Sequence, residues 1–420
     1  VVVIGGGVAG LTAAAHLAER GLQPLLLEAN QYWLGGRLAG GEDETFTHNG
    51  RTWTFPSEHG IHGLWGGYVN MRATIERFIS DASLHPVPSS GETWVNRWGE
   101  RVWAVEAGTA VRSRLLPAPF HYLNLLLRPR FFGGINPLDY LSAPGIIFSM
   151  LWAVGYDPLA EQSELPGFTM DDFFRGWTPN LRATIEGVAR NMLAAPDEEI
   201  TLTGLIAALR FYTVLRRDDW HPHYFPANSR TAYLTPLADA IRARGGVIAL
   251  GKTVQTLERV EDGWRVHVRG AGGTTQYVDA AGIILAVHPS AAQAILCNSP
   301  DTAEVAAKLR FPGVLRNTTV RLWFTEDPTD KAPSGMFTGD FTPDNYFWLH
   351  RIHREYHDWA AEGGSAVELH YYGDDPLLNQ PDRAFLADAL NEHTAHSQIY
   401  VAAMSTGLSV ATLRCTRHSV

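Results

Sequence analysis

The chain has 420 residues, of which 45% are hydrophobic and 19% charged, and its formal net charge is −10 at pH 7. This composition supports two domains with sizeable cores and excludes a disordered protein. The negative charge argues against a nucleic-acid partner. The two cysteines, Cys297 and Cys415, are too few for a disulfide framework and indicate a reducing compartment. Neither a C-x-x-C nor an H-E-x-x-H motif occurs, so the sequence predicts no metal site.

The N-terminal stretch follows the order strand, glycine turn, helix, strand, acid. A β-branched run, residues 1–4, precedes a G-x-G-x-x-G motif at Gly5, Gly7 and Gly10. A segment of helix formers follows, and then a second apolar run that ends at Glu28. In such a unit the glycines permit a tight turn, close approach of a pyrophosphate and close packing of the helix on the strand. The helix N-terminus favours phosphates and the acid accepts hydrogen bonds from ribose hydroxyls, so the sequence predicts a dinucleotide site.

A second glycine turn, Gly35-Gly36-Arg37, follows this unit closely. With its spacing from Glu28, it resembles the first cofactor motif of the FAD-dependent amine oxidase and carotenoid desaturase superfamily. The resemblance implies FAD as the cofactor, with the G-G-R turn contacting its phosphates and its flavin side. On the pattern alone, a Gly-Gly loop with a solvated arginine is the alternative.

The block Glu58-His59-Gly60-Ile61-His62 is the next informative stretch. It resembles the segment after the first FAD motif in bacterial carotenoid desaturases, in particular the isorenieratene-synthase-like and hydroxysqualene-dehydroxylase-like branches. Two imidazoles and a carboxylate so close together could face the flavin and take a proton, so His59 and His62 are predicted catalytic or orienting groups. Alternatively, both histidines only form hydrogen bonds within a glycine-rich loop.

The middle of the chain is rich in aromatic residues, proline and leucine, and it is predicted to be helical. Residues 140–156 carry no charge, but they are at the short end for a transmembrane span and contain Pro144. We therefore reject a span and favour a buried helix of a substrate domain. The alternative is a helix that dips into one leaflet, with Arg128 and Arg130 at the headgroups and Trp152 at the interface.

Residues 231–312 return to the pattern of a nucleotide-binding domain. A helix is predicted from Tyr233, and the alternating and continuous apolar runs after it predict strands. This region resembles the second FAD-binding piece of the superfamily, which implies a backbone contact to the adenine at Val254. Superfamily members usually carry a Gly-Gly pair before that helix, whereas this chain has Asn228-Ser229-Arg230.

Three aromatic and β-branched runs after residue 312 predict a substrate-domain sheet that covers the flavin. Four histidines lie in this region, and we expect them to pack on strand faces or to be solvated at the surface: His350, His353, His357 and His370. A site role for His350 or Tyr371 is the alternative. Residues 396–420 lack the A-G-D-type motif that superfamily members carry near their C-terminus, so we expect an atypical or truncated tail.

The sequence thus predicts an α/β protein with a Rossmann-like, GR2-type FAD-binding domain and an inserted α+β substrate domain. Five segments are expected: a first FAD-binding segment (1–91), a helical segment of the substrate domain (92–230), a second FAD-binding segment (231–312), a sheet segment of the substrate domain (313–395) and the tail (396–420). The candidate cofactor residues are Gly5, Gly7, Gly10, Glu28, Gly35, Gly36, Arg37 and Val254.

The resemblance implies an FAD-dependent oxidoreductase that desaturates a long isoprenoid, either a carotenoid or a squalene-like compound, by hydride transfer to the flavin. Reoxidation then needs a second acceptor, for which a quinone is expected. We expect a cytoplasmic location and allow for peripheral contact with the inner face of the membrane. Two alternatives are left open: a flavin amine oxidase on the same fold, and a truncated FAD-fold protein without turnover.

Overall fold

The computed structural model describes residues 1–99, 101–106, 116–122, 137–161, 165, 167–217, 220–313, 315–328, 332–373 and 410–419. Arg128 and Arg130, expected at the headgroups, lie outside the described residues, and so do residues 396–409 and 420 of the predicted tail.

The strands in these ranges are β1 (Val2–Ile4), β2 (Leu25–Leu27), β3 (Glu44–His48), β4 (Arg51–Phe55), β5 (Gly63–Leu64), β6 (Val87–Pro88), β7 (Thr93–Trp98), β8 (Arg101–Glu106), β9 (His223–Tyr224), β10 (Val247–Ala249), β11 (Lys252–Val260), β12 (Gly263–Gly270), β13 (Thr275–Ala280), β14 (Ile283–Leu285), β15 (Arg316–Phe324), β16 (Ser334–Gly339), β17 (Asn345–Trp348), β18 (Ser365–Tyr372) and β19 (Val410–Ser419). The α-helices are α1 (Val8–Glu19), α2 (Val69–Phe78), α3 (Ala143–Gly155), α4 (Pro158–Glu161), α5 (Met170–Phe173), α6 (Pro179–Leu193), α7 (Leu202–Leu209), α8 (Thr235–Arg242), α9 (Pro289–Cys297), α10 (Pro300–Ala306) and α11 (His357–Ala361).

A four-stranded parallel sheet, with strand order β10-β2-β1-β14, forms the centre of the nucleotide-binding half. Its strands are continuous apolar runs because both faces of the sheet are covered. Val3 and Leu26 pack with α1 and α8 in one core cluster. Their neighbours Val2, Ile4 and Leu27 pack on the other face, against the antiparallel sheet β11-β12-β13. The sheet therefore joins the first and the second predicted FAD-binding segments.

A seven-stranded mixed sheet, with strand order β19-β15-β18-β17-β16-β7-β8, forms the second half. Only β16 and β7 pair in parallel within it. The sequence predicted three of these strands, corresponding to β15, β17 and β18. It missed β7 and β8, which open the stretch 92–230 that was predicted to be helical. Both strands are rich in β-branched and aromatic residues, which is typical of strands, so the helical prediction is corrected for them.

The uncharged stretch 140–156 forms a 3₁₀ turn, Pro137–Ser142, that continues into α3. Pro144 lies in the first turn of α3, where a proline begins a helix and does not break it. Only Ser149 and Ala153 of α3 are buried, so the favoured prediction of a buried helix is wrong. By length and composition alone, Pro137–Gly155 could cross a membrane, a criterion that core helices of soluble proteins also meet.

Candidate active site

The glycine turn between β1 and α1 has a backbone that other residues could not adopt without strain. Gly5 has a φ of +104°, and a Cβ atom there would lie 2.3 Å from the Ala286 carbonyl oxygen. A Cβ atom at Gly10 would lie 1.9 Å from the Gly5 carbonyl oxygen, because α1 packs directly on the turn. A Cβ atom at Gly7 would meet only the Gly35 carbonyl oxygen, at 3.9 Å. That side of the turn is therefore open to a bound group.

Glu28 follows β2 and faces this turn. Its Oε2 atom accepts a hydrogen bond from the Gly6 amide at 2.6 Å, and its Oε1 atom accepts one from the Asn30 amide at 2.7 Å. Helix α1 begins here with neither a side-chain cap nor an acidic residue in its first turn. Its free N–H groups and its dipole therefore favour an anion. A carboxylate beside such a helix N-terminus is suited to binding a ribose next to a pyrophosphate.

The Gly35-Gly36-Arg37 turn lies directly against the first glycine turn. The Gly35 amide donates a hydrogen bond to the Gly6 carbonyl oxygen at 2.8 Å, and Gly7 and Gly35 form an isolated parallel bridge. Gly35 and Gly36 have φ values of +121° and +55°, which favour glycine. Arg37 is exposed and has no carboxylate partner among the described residues. Its guanidinium group is thus available to a phosphate.

The E-H-G-x-H loop, residues 58–62, lies beside the segment that follows the G-G-R turn. A Cβ atom at Gly40 would lie 1.4 Å from the Ser57 carbonyl oxygen, so the two backbones are in contact. The buried Glu58 carboxylate accepts a hydrogen bond from the Ser229 amide at 2.7 Å, where the chain enters the helical segment that leads into α8. Three segments that the sequence singled out separately therefore meet at one place.

His59 and His62 are both partly buried in this loop. Loss of contact with water lowers the pKa of His62 to about 4, an effect that the Glu368 carboxylate opposes. Burial also lowers the pKa of His59, and the Arg321 guanidinium adds to this effect. Both imidazoles are therefore neutral at pH 7 and can accept a proton. Their catalytic roles stay a prediction.

Two charged residues that sequence reasoning passed over, Arg321 and Glu368, lie next to this loop. Their side chains form an ion pair with a distance of 2.6 Å between Nε and Oε2. Burial raises the pKa of Glu368, but the Arg321 guanidinium outweighs this effect and holds that pKa below its usual range. Burial also raises the pKa of Glu58 to about 7, and Arg321 opposes that shift. The sequence did carry a signal for Arg321 and Glu368, because each is a charged residue with an apolar neighbour on either side in a strand.

Three of the four histidines expected on strand faces or at the surface are buried, and only His357 is exposed. His370 Nε2 forms a hydrogen bond with Glu368 Oε1 at 2.7 Å, and His353 Nδ1 lies 3.8 Å from Glu58 Oε2. His370 packs on a face of β18, as one of the two expectations held, because that strand is buried along nearly its whole length. His350 and His353 are buried outside the strands, so the expectation of solvation was wrong for them. His350 is buried in a 3₁₀ turn, away from the strand predicted for it, and Tyr371 is buried in β18; a site role for either stays a prediction.

Val254 lies in β11, in the core shared by the two sheets of the nucleotide-binding half. Strand β11 begins beside Glu28, the residue expected to bind the ribose, since the Lys252 amide donates a hydrogen bond to the Glu28 carbonyl oxygen at 2.8 Å. A register shift follows Val254, between it and Thr256. Val254 is thus close in the chain to the Glu28 contact, and its contact with an adenine stays a prediction.

Aromatic side chains form a surface just beyond the loop, which we call the aromatic wall: Trp65, Tyr68, Phe211 and Tyr212. The hydroxyl oxygens of Tyr68 and Tyr212 are 3.0 Å apart, and the Trp65 and Tyr212 rings meet edge to face with centroids 5.6 Å apart. All four side chains keep some exposure to solvent, so they do not belong to a closed core. Such a surface suits an apolar ligand held by a few polar groups.

The residues of the glycine turns fit FAD. The open side of Gly7, the uncapped N-terminus of α1 and the exposed Arg37 would hold the phosphates, and Glu28 would hold the ribose. Within the described ranges, no group of three or more histidine, cysteine or acidic side chains could hold a metal ion.

Known proteins resemble this chain over most of its length. The family model described as flavin containing amine oxidoreductase matches residues 8–393. The chloroplastic 15-cis-phytoene desaturase of Arabidopsis thaliana is 27% identical over 299 residues, which are 67% of this chain but only 46% of that protein. The carotenoid phi-ring synthase of Streptomyces griseus is 27% identical over 413 residues, covering 92% of this chain and 72% of that protein.

Solved structures show the same fold. Cyclohexylamine oxidase from Brevibacterium oxydans IH-35A superposes with a TM-score of 0.59 at 18% identity, covering 99% of this chain and 84% of that one. The family match confirms the predicted superfamily, the FAD cofactor and the class of FAD-dependent oxidoreductases, and the solved structures confirm the α/β FAD-binding fold. The chain belongs to the family of flavin-containing amine oxidoreductases.

Proposed function

We propose that the protein dehydrogenates a long isoprenoid, either a carotenoid or a squalene-like compound. One substrate carbon loses a hydride and its neighbour loses a proton, so a new double bond forms. FAD, when bound, accepts the hydride. In this proposal His62 or His59 accepts the proton, and the neutral state of both imidazoles at pH 7 supports this role.

The aromatic wall is the observation that carries this proposal. It begins three positions after His62, at Trp65, and none of its four side chains is charged. A Cβ atom at Gly67 would lie 3.1 Å from the Phe211 carbonyl oxygen, so the backbone after the loop packs closely on this wall. A polyene or polyisoprene chain could lie along such a surface and bring a C–H bond to the loop.

The two carotenoid-related relatives support the same substrate class, although the chain spans less than half of the plant enzyme's length. The alternative is an amine oxidase. An amine substrate needs a carboxylate or an aromatic cage beside the reacting carbon. Of the acidic side chains near the loop, Glu58 and Glu368 are already held by Ser229 and Arg321. These two carboxylates are therefore not free for an amine, whereas the aromatic wall suits either substrate, so the choice of an isoprenoid rests on the two carotenoid-related relatives.

A quinone is the proposed second acceptor. Dehydrogenation leaves two electrons on the cofactor, and they must pass on before another turnover. A lipophilic quinone would share the apolar surroundings of the isoprenoid, which supports this choice over a water-soluble acceptor.

Peripheral contact with a membrane, on the cytoplasmic side, is proposed from the outer face of α3 and the turn before it. Seven large hydrophobic side chains there are 41–72% exposed: Leu138, Tyr140, Leu141, Ile147, Phe148, Leu151 and Val154. The polar groups of the same segment point inward, where Asn180 Nδ2 donates a hydrogen bond to Asp139 at 2.7 Å and Trp177 Nε1 donates one to Ser149 at 3.0 Å. An exposed apolar face of this kind suits the lipid from which such a substrate would come.

The test is anaerobic titration of the FAD-loaded protein, followed by the visible flavin band. Bleaching by an acyclic carotene or by a squalene derivative, and recovery on addition of a quinone, are expected. Bleaching by primary amines alone would establish the amine oxidase instead. FAD that binds but is bleached by none of these compounds would contradict both enzyme proposals and favour a protein without turnover.

A further inference from the structure

The ion pair between Arg321 on β15 and Glu368 on β18 lies inside the seven-stranded sheet. The two residues are directly opposite each other in the strand ladder, and their side chains are 8% and 0% exposed. Removing two charges from water is costly, and a well-packed apolar pair is often at least as stable. The pair therefore needs an explanation other than stability.

Both members of the pair bind the backbone of the loop that carries His59 and His62. Arg321 donates hydrogen bonds to the carbonyl oxygens of Pro56, at 2.8 Å, and Glu58, at 3.4 Å. Glu368 Oε1 accepts one from the Ile61 amide at 2.6 Å. The pair thus holds the backbone just before the loop, at its first residue and near its end.

His370 completes this support. Its Nε2 atom is bonded to Glu368 Oε1 at 2.7 Å, and its ring lies under Gly60, where a Cβ atom would be 3.0 Å from Nε2. Gly60 also has a φ of +138°, so a side chain at this position would be strained and would crowd the His370 ring. The loop therefore lies flat on the pair and its histidine.

The loop in turn contacts the cofactor side of the site. Ser57 touches the backbone of Gly40, three positions after Arg37, and Glu58 is bonded to the Ser229 amide. A displacement of the loop would therefore be transmitted to the segment after the G-G-R turn.

We propose that Arg321 and Glu368 are positioning residues, which fix the E-H-G-x-H loop against the G-G-R segment and so define one wall of the FAD site. The guanidinium fork reaches two carbonyl oxygens while it pairs with Glu368, a geometry that a lysine cannot reproduce. The inference rests on FAD binding at the glycine turns and is independent of the substrate.

The test compares the double variant R321M/E368L with the single variants E368Q and R321K. Thermal unfolding without FAD, the FAD dissociation constant and the shape of the visible flavin band are measured for each. E368Q is expected to lower the unfolding temperature, because it leaves the Arg321 guanidinium buried without its partner. The double variant is expected to recover only part of this loss, because the Pro56 carbonyl and the Ile61 amide still lack partners. FAD binding should be about tenfold weaker in all three, comparable to the loss of one charge-assisted hydrogen bond, with a shifted flavin band.

The matched control is R265Q/D279N. Arg265 and Asp279 are also opposite each other on adjacent antiparallel strands, with a 2.8 Å ion pair, but they are partly exposed and far from the loop in sequence. This variant should bind FAD like the wild type. A double variant with wild-type FAD affinity and an unshifted band would overturn the proposal, since the pair would then be structural only. If the double variant does not fold, an R321K variant that binds FAD with wild-type affinity would equally overturn the proposal. Because FAD binding is the readout, failure with isoprenoid substrates would not affect this result.

Discussion

The Ser229 amide donates a hydrogen bond to the Glu58 carboxylate at 2.7 Å, although the two residues are 171 positions apart. Ser229 stands just before the helical segment that leads into α8, and Glu58 opens the loop that carries the two candidate catalytic histidines. This contact joins the second FAD-binding segment to the loop. The buried Glu58 carboxylate therefore fixes both the start of the helical segment before α8 and the loop that carries His59 and His62.

Replacing Glu28 by Ala is expected to weaken FAD binding by about tenfold or more, because the ribose loses its acceptor and the Gly6 amide loses its 2.6 Å partner. Fluorescence titration of the apoprotein with FAD measures this change. The control is E19Q, which alters the exposed ion pair between Glu19 and Arg77 at the far end of α1. An E28A variant that binds FAD like the wild type would show that Glu28 does not contact the cofactor.

The sequence predicted the two glycine turns well because their function depends on local backbone geometry. Gly5, Gly35 and Gly36 all have positive φ values, as motifs of this kind require. Their mutual contact could also be inferred, because both turns follow strands of one parallel sheet. The local sequence was therefore sufficient to predict these two turns.

Replacing His62 by Gln is expected to slow anaerobic flavin reduction by about 10²-fold, the usual effect of losing a general base. FAD affinity should not change, because the Ile61 amide and the Arg321 contacts that hold the loop persist. Stopped-flow absorbance with an acyclic carotene measures the rate. H357Q, at an exposed histidine, is the control. An undiminished rate in H62Q would exclude His62 as the base and leave His59 as the candidate.

Glu92 should make the protein less stable as the pH rises. Burial raises the pKa of this carboxyl to about 7, while Trp220 Nε1 donates a hydrogen bond to it at 3.1 Å and opposes the shift. A group with a raised pKa in the folded state contributes stability below its unfolded pKa and loses it as the pH rises through the folded pKa. The contribution present at pH 4.5 is therefore lost by about pH 8, and it amounts to about 3 kcal/mol.

The variant E92Q removes this titration. Relative to the wild type, its free energy of unfolding should increase by about 3 kcal/mol between pH 4.5 and pH 8, as measured by urea denaturation. Glu58, whose pKa burial also raises to about 7, keeps its own contribution in both proteins. The control E199Q alters an exposed carboxyl. If the free energies of unfolding of E92Q and the wild type changed in parallel with pH, Glu92 would ionise in the folded protein as it does in the unfolded chain.

The buried network beneath the loop could not be predicted from the sequence, because its members meet only through tertiary pairing. Arg321 and Glu368 are 47 positions apart and become opposite residues only when β15 pairs with β18. Likewise, the outward orientation of α3 is invisible to composition. A segment without charges suggested burial, whereas the structure turns Asp139 and Ser149 inward and leaves the large apolar side chains outside.

Replacing Leu141, Phe148 and Leu151 together by Gln is expected to abolish binding to lipid vesicles. These side chains are 59–72% exposed on the outer face of α3 and the turn before it. Each contributes about 1.5 kcal/mol when it enters an apolar medium, so the triple variant should bind about 10³-fold more weakly. Flotation with phosphatidylglycerol-containing vesicles measures the bound fraction.

A matched control replaces three scattered apolar residues with comparable exposure: L22Q, Y277Q and V305Q. It should float with the vesicles like the wild type, because isolated apolar side chains form no continuous face. The wild type could instead stay in solution and show twice the mass of one chain in light scattering, while the triple variant shows the mass of one chain. That result would make this face a contact between two copies. Equal flotation of the triple variant and the wild type would show that α3 does not enter the lipid, and any membrane contact would then have to lie elsewhere on the surface.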